Sequence, residues 1–102
     1  MATLNIVNKS PFEKRTLEQC LPRISDGDSV LLIEDACVAA VSGTTFEPEL
    51  KQSSGSVKLY VLEPDLAARG LSGATLMNEF ATVDYAGFVE LVSTHDRVHS
   101  WL

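Results

Sequence analysis

Five consecutive residues, Ser29-Val30-Leu31-Leu32-Ile33, constrain the fold of this chain more than any other segment, because four of them are large and apolar with no polar residue between. A strand with one wet face alternates apolar and polar side chains. An unbroken run of strand length is instead covered on both faces, as strands are inside a parallel sheet. Asp26-Gly27-Asp28 turns the chain into this run and Glu34-Asp35 stops it. Parallel neighbours need a crossover segment between them, and the remaining sequence supplies both strands and crossovers.

Residues 3–7 open with a β-branched apolar pattern, residues 57–62 alternate, residues 80–83 form a short strand, and residues 98–102 add a terminal edge strand. Between them lie helix signals. Ser10-Pro11-Phe12-Glu13 carries a hydroxyl, a proline and a carboxylate at capping-box spacing and predicts a short turn; Thr16-Leu17-Glu18-Gln19 repeats the signature. The first main helix is read from Leu17, with Thr16 as its cap and Leu17, Leu21 and Ile24 as its apolar stripe. Pro22 removes one helical amide and predicts a kink near Cys20. Asp35 is positioned to cap a helix over residues 36–41, and a short amphipathic turn surrounds Pro48 and Leu50. Residues 63–70 have Pro near the start, acid in the first turn and Gly70 just past the end, a brief helix. Asp84 caps a helix over residues 85–94, with Val83 and Phe88 stapled across the cap and Phe88, Leu91 and Val92 facing inward. Strands alternating with helices define an α/β fold. It is a single three-layer domain over residues 1–102, with a mostly parallel sheet of about five strands flanked by helices and joined by right-handed crossovers.

Charge narrows the function classes. Eight Lys and Arg against 14 Asp and Glu give −6, with no basic run, so direct nucleic-acid binding is excluded and a basic protein partner fits better. No stretch approaches the ~18 apolar residues of a membrane span, and residues 1–8 hold no basic leader, so no membrane association and a cytoplasmic location are expected. Cys20 and Cys37 are 17 positions apart, which is no Cys-x-x-Cys redox pair, and both are read as reduced thiols.

Other constellations point to structure rather than chemistry. His95, Asp96 and His99 have helical spacing but too few ligands for a metal site, and His95 suits a helix C-terminus. No metal is expected. Glu34 and Asp35 are adjacent, so their side chains diverge at a strand end, and Asp35 is better used as a cap. The glycines form no phosphate-binding loop; Gly70 and Gly73 stop a helix and make a turn, and no cofactor is predicted. Cys37, among Ala36, Val38, Ala39 and Ala40 and beside two acids, is read as core.

Four blocks carry a resemblance. They are Val7-Asn8-Lys9-Ser10-Pro11-Phe12, the segment from Ser25-Asp26-Gly27-Asp28 through Glu34-Asp35, the segment from Val61-Leu62-Glu63-Pro64 to Arg69-Gly70-Leu71, and the ending from Val83-Asp84-Tyr85 to Ser100-Trp101-Leu102. In this order and spacing the chain resembles the DsrH/TusB family over nearly its whole length. The resemblance implies a DsrEFH-like domain that joins DsrE/TusD-like and DsrF/TusC-like subunits in a heterohexamer with two copies of each. It implies persulfide relay to a DsrC/TusE-like carrier, serving dissimilatory sulfur oxidation in one branch and tRNA 2-thiouridine synthesis in the other. The family's best-established sulfur-carrying cysteine lies on the DsrE/TusD-like subunit, so an accessory, non-catalytic role is expected for this chain. TusB-like members can lack a cysteine where Cys20 stands, which favours the DsrH branch and sulfur oxidation.

Persulfide relay needs an accessible thiolate. With Thr16 as cap, Cys20 falls near a helix start, where the dipole and the nearby Arg15 and Arg23 favour ionisation against Glu18. Cys20 is therefore the candidate sulfur acceptor, set against a plain reading as a half-buried hydrophobe beside the Leu17 stripe. A self-sufficient thiol sulfurtransferase using Cys20 and a small regulatory or ligand-binding module are the competing functions. Trp101, with Val98 and Leu102, is read as burying itself against a partner subunit, as interface aromatics do.

Overall fold

In the computed structural model, which describes residues 2–101, the apolar run becomes the centre of the sheet. Strands β1 (Thr3–Val7), β2 (Ser29–Leu32), β3 (Lys58–Leu62), β4 (Phe80–Val83) and β5 (Arg97–Trp101) lie in the order β4-β3-β2-β1-β5. Every pairing is parallel. All four residues of β2 are buried, as continuous apolar character requires of the middle strand. The terminal strand starts at Arg97, one residue before the predicted boundary, and Leu102 lies outside the described residues.

Strand order decides which face each helix covers. From β1 to β4 the chain steps steadily in one direction, so right-handed crossovers put α1 (Thr16–Cys20), a 3₁₀ segment (Glu34–Ala40), α2 (Glu47–Ser53) and α3 (Glu63–Ala68) on one face. The return from β4 to β5 runs the opposite way across the sheet. Its helix, α4 (Tyr85–Thr94), therefore lies on the other face. Two cores result. On the helix-rich face Val7, Val30, Leu32, Leu59 and Val61 pack with Leu17, Ala39, Leu50 and Leu66. Beneath α4, Leu4, Ile6 and Leu31 pack with Tyr60, Val83, Phe88 and Leu91.

Local chemistry departs from the expected pattern at two helix starts. Thr16 is buried inside α1 and Arg15 occupies the cap position without a side-chain hydrogen bond, so α1 runs only five residues before a 3₁₀ turn at Leu21–Arg23. Pro22 in that turn denies α1 the amide it needs to continue. Asp35 does not cap either. The segment after β2 is 3₁₀ rather than α, Glu34 takes a positive φ of 49°, and its amide donates 2.6 Å to Asp65 Oδ2 from the neighbouring α3. Elsewhere the signals hold. Asp84 Oδ1 accepts from the Gly87 amide at 2.7 Å, and Gly70 (φ 70°) ends α3 with its amide donating to the Ala67 carbonyl.

Candidate functional site

Cys20, the predicted sulfur acceptor, is the last residue of α1 and is fully buried, 0% exposed, in the helix-rich core. The helix-start position expected to favour a thiolate is absent, and so is access to the thiol. The helix presents its C-terminal end to this residue rather than its positive N-terminal end, and α1 points the thiol inward beside Leu17. Burial pushes the thiol up to about 12, and the Asp28 carboxylate adds to the shift. Near neutral pH Cys20 is a protonated, enclosed thiol. Asp28 is itself buried and structural. Its Oδ1 accepts from the Thr3 amide at 3.0 Å and its Oδ2 from the Ser25 amide at 2.9 Å, tying the starts of β1 and β2 together.

Cys37 lies in the 3₁₀ segment after β2, at the carboxyl edge where open α/β sheets place their ligands. That edge is closed by ion pairs. Arg69 Nε meets Asp35 Oδ1 at 2.9 Å, its Nη1 lies 3.9 Å from Asp65 Oδ1, and the same nitrogen donates to the Asp65 carbonyl at 3.2 Å. Burial raises the Cys37 thiol above its ordinary value; Arg69 opposes the rise, while Asp65 and Asp35 assist it. The core reading of Cys37 agrees with its complete enclosure. Asp35 and Asp65 act here as anchors for one guanidinium.

The two histidines are not brought together. Val98 pairs with Leu4 on the α4 side, which turns His99 and Trp101 to the opposite face, where their rings stack 4.4 Å apart. His95 stays on the α4 face and contacts Ser29 and the Leu91 carbonyl. Trp101 does not wait for a partner. Its indole packs against the chain's own core and donates 3.1 Å to the buried Asn5 Oδ1, which lies on β1 opposite His99. Val92 also departs from expectation, standing 40% exposed rather than facing inward.

The surface lacking cover is the outer flank of α4. None of its residues is fully buried, and Tyr85, Val89 and Val92, spaced i, i+4, i+7, form a second apolar stripe. Tyr85 is 60% and Val89 68% exposed, with Val98 of β5 also open. Sequence periodicity contained this stripe, but Phe88 and Leu91 already satisfied the inward face and left it unread. The Arg69 cluster also went unread, although Asp65 and Arg69 stand at ion-pair spacing on one helix.

These features describe a parallel α/β fold with enclosed thiols and one half-covered face. Comparison with known proteins sharpens the class. The profile of a family described as "DsrH like protein" matches residues 9–98. Protein TusB of Shigella flexneri is 34% identical over 98 residues, covering 96% of this chain and 99% of the relative, and Protein TusB of Escherichia coli O81 (strain ED1a) matches to the same extent. In fold, the ychN protein from E. coli superposes with a TM-score of 0.78 at 15% identity, over 98% of this chain and 99% of that one. A protein of unknown function from Methanobacterium thermoautotrophicum, MTH1491, gives 0.73 at 12% identity, over 96% and 97%. The chain belongs to the DsrH/TusB family of sulfur-relay proteins. No helix among the described residues is long and apolar enough to cross a membrane.

Proposed function

We propose that this chain is the accessory DsrH/TusB-type subunit of a sulfur-relay complex, assembled with DsrE/TusD-like and DsrF/TusC-like subunits and passing sulfur to a DsrC/TusE-like carrier. The full-length similarity to TusB proteins carries this reading and favours tRNA 2-thiouridine synthesis over sulfur oxidation. The role is structural. Cys20 is protonated and enclosed and Cys37 is enclosed behind an ion-paired edge, which supports a sulfur-carrying cysteine on another subunit. The open apolar flank of α4 supports assembly, because an exposed apolar stripe along a helix suits burial against another protein surface.

Co-expression with the two sister subunits tests the proposal. The expected result is one species holding two copies of each chain. A chain that elutes alone as a stable monomer overturns it. Persulfide transfer by that complex is expected to survive Cys20→Ser; its loss, in a variant that still assembles, would make Cys20 the sulfur acceptor. Deletion of the gene in its host is expected to lower tRNA 2-thiouridine, and unchanged thiolation would return the assignment to sulfur oxidation.

A further inference from the structure

A cavity of about 500 Å³ opens on the α4 face, at the amino ends of β2 and β3 and away from both cysteines. Its deepest polar group is Ser29, only 2% exposed. The Ser29 hydroxyl lies 2.8 Å from His95 Nε2, and His95 Nδ1 lies 2.7 Å from the Leu91 carbonyl oxygen. That carbonyl accepts only, so Nδ1 carries the imidazole proton. In the neutral ring Nε2 is then an acceptor, and the Ser29 O–H donates to it. Three groups stand in line: a hydroxyl, a base holding its proton, and a fixed acceptor that orients the base.

The walls suit an electrophile. Ser29 pairs in register with Lys58, and Leu31 with Tyr60, so Lys58 and Tyr60 rise from the same sheet face beside Ser29 and line the cavity. Among the described residues neither the Lys58 ammonium nor the Tyr60 hydroxyl has a hydrogen-bond or ion-pair partner. Val83, Gly87 and Leu91 form an apolar side, and the exposed Glu90 and Thr94 of α4 also line the cavity. With its proton turned toward His95, the Ser29 oxygen keeps its lone pairs for an incoming carbon.

We propose that Ser29 is an acyl acceptor, with His95 as its general base, for small esters or thioesters bearing an apolar acyl group. In the forward step Ser29 Oγ bonds to the carbonyl carbon, the ester C–O or thioester C–S bond breaks, and the Ser29 proton passes through His95 Nε2 to the leaving alcohol or thiol. Lys58 and Tyr60 donate to the carbonyl oxygen as it gains charge. Water, activated by the same His95, then hydrolyses the seryl ester to the carboxylic acid and restores Ser29. No electrons are exchanged with an outside reagent. This proposal stands apart from the sulfur relay and needs neither cysteine.

The test uses the full chain and p-nitrophenyl acetate, with nitrophenolate release followed by absorbance and the acetyl group located by peptide mass mapping. Acetyl on Ser29 of the folded wild-type chain, with saturable release, is the expected result. His95→Gln, checked by circular dichroism for retained fold, is expected to slow that acetylation about a hundredfold, as loss of a general base does. Absence of acetyl on Ser29, acetyl confined to lysines, or equal Ser29 acetylation in wild type, His95→Gln and urea-unfolded chain overturns the proposal. The wild-type mapping decides the matter even if a variant fails to fold.

Discussion

The two faces of the sheet are made from the same kinds of strand residue, yet the segments that cover them are enclosed to different degrees. On the helix-rich face four crossover segments enclose the side chains of β1, β2 and β3, and Val7, Val30, Leu32 and Val61 are wholly buried there. On the other face one helix covers Leu4, Ile6 and Leu31, and its own contacts, Phe88 and Leu91, stay only partly buried. The contrast follows from topology, since one return crossing cannot screen a five-stranded sheet. It also separates roles. The covered face carries stability and encloses both cysteines, whereas the half-covered face carries the open apolar flank and the Ser29 cavity.

Truncation should expose the contrast most strongly. Leu32→Ala, on the enclosed face, is expected to cost about 2–5 kcal/mol in urea unfolding, and Leu91→Ala, on the α4 face, less than half as much. Equal losses would erase the distinction between the faces.

The next effect is pH-dependent. Folding holds Cys20 up at about 12, above its ordinary 9.0, so the folded chain binds that proton more tightly than the unfolded one. The resulting stability is fully present below about pH 9 and declines as pH rises from there toward 12, where the folded thiol itself ionises. Cys20→Ala is expected to flatten this decline in urea titrations from about pH 8, one unit below the ordinary thiol value, to about pH 11, one unit below the folded one. An unchanged slope would mean that Cys20 is less enclosed than its neighbours on the covered face.

The smallest effect is on the α4 flank. Val89→Lys is expected to leave the isolated chain within about 0.5 kcal/mol of wild type, because the side chain is already in water. The same change should reduce recovery of the sister subunits in co-purification. A large loss of stability in the lone chain would place Val89 inside the core and remove the asymmetry.

Much of this fold was readable along the chain. The β2 run, the Asp84 cap and the Gly70 stop each depend on residues within a few positions of one another, so local rules sufficed. The candidate site was less legible. Whether Cys20 is a thiolate turns on the end of α1, its enclosure and the nearness of Asp28; the helix end was read the other way because Thr16 looked like a cap, and enclosure was left open between a reactive thiol and a half-buried hydrophobe. Asp65 receives the Glu34 amide, a contact across 31 positions, and Ser29 meets His95 across 66.

The order of apolar runs, turns and helix starts determined by itself that this chain forms an α/β sheet of parallel strands, because a buried strand must be apolar on both sides and helix ends must satisfy their own amides. Only the tertiary structure decided that β5 returns to the far side of β1, which left α4 alone on its face. That placement decided which apolar stripe is open and which hydroxyl found a base. These outcomes depend on groups distant in sequence meeting in space, and spacing along the chain does not encode such meetings.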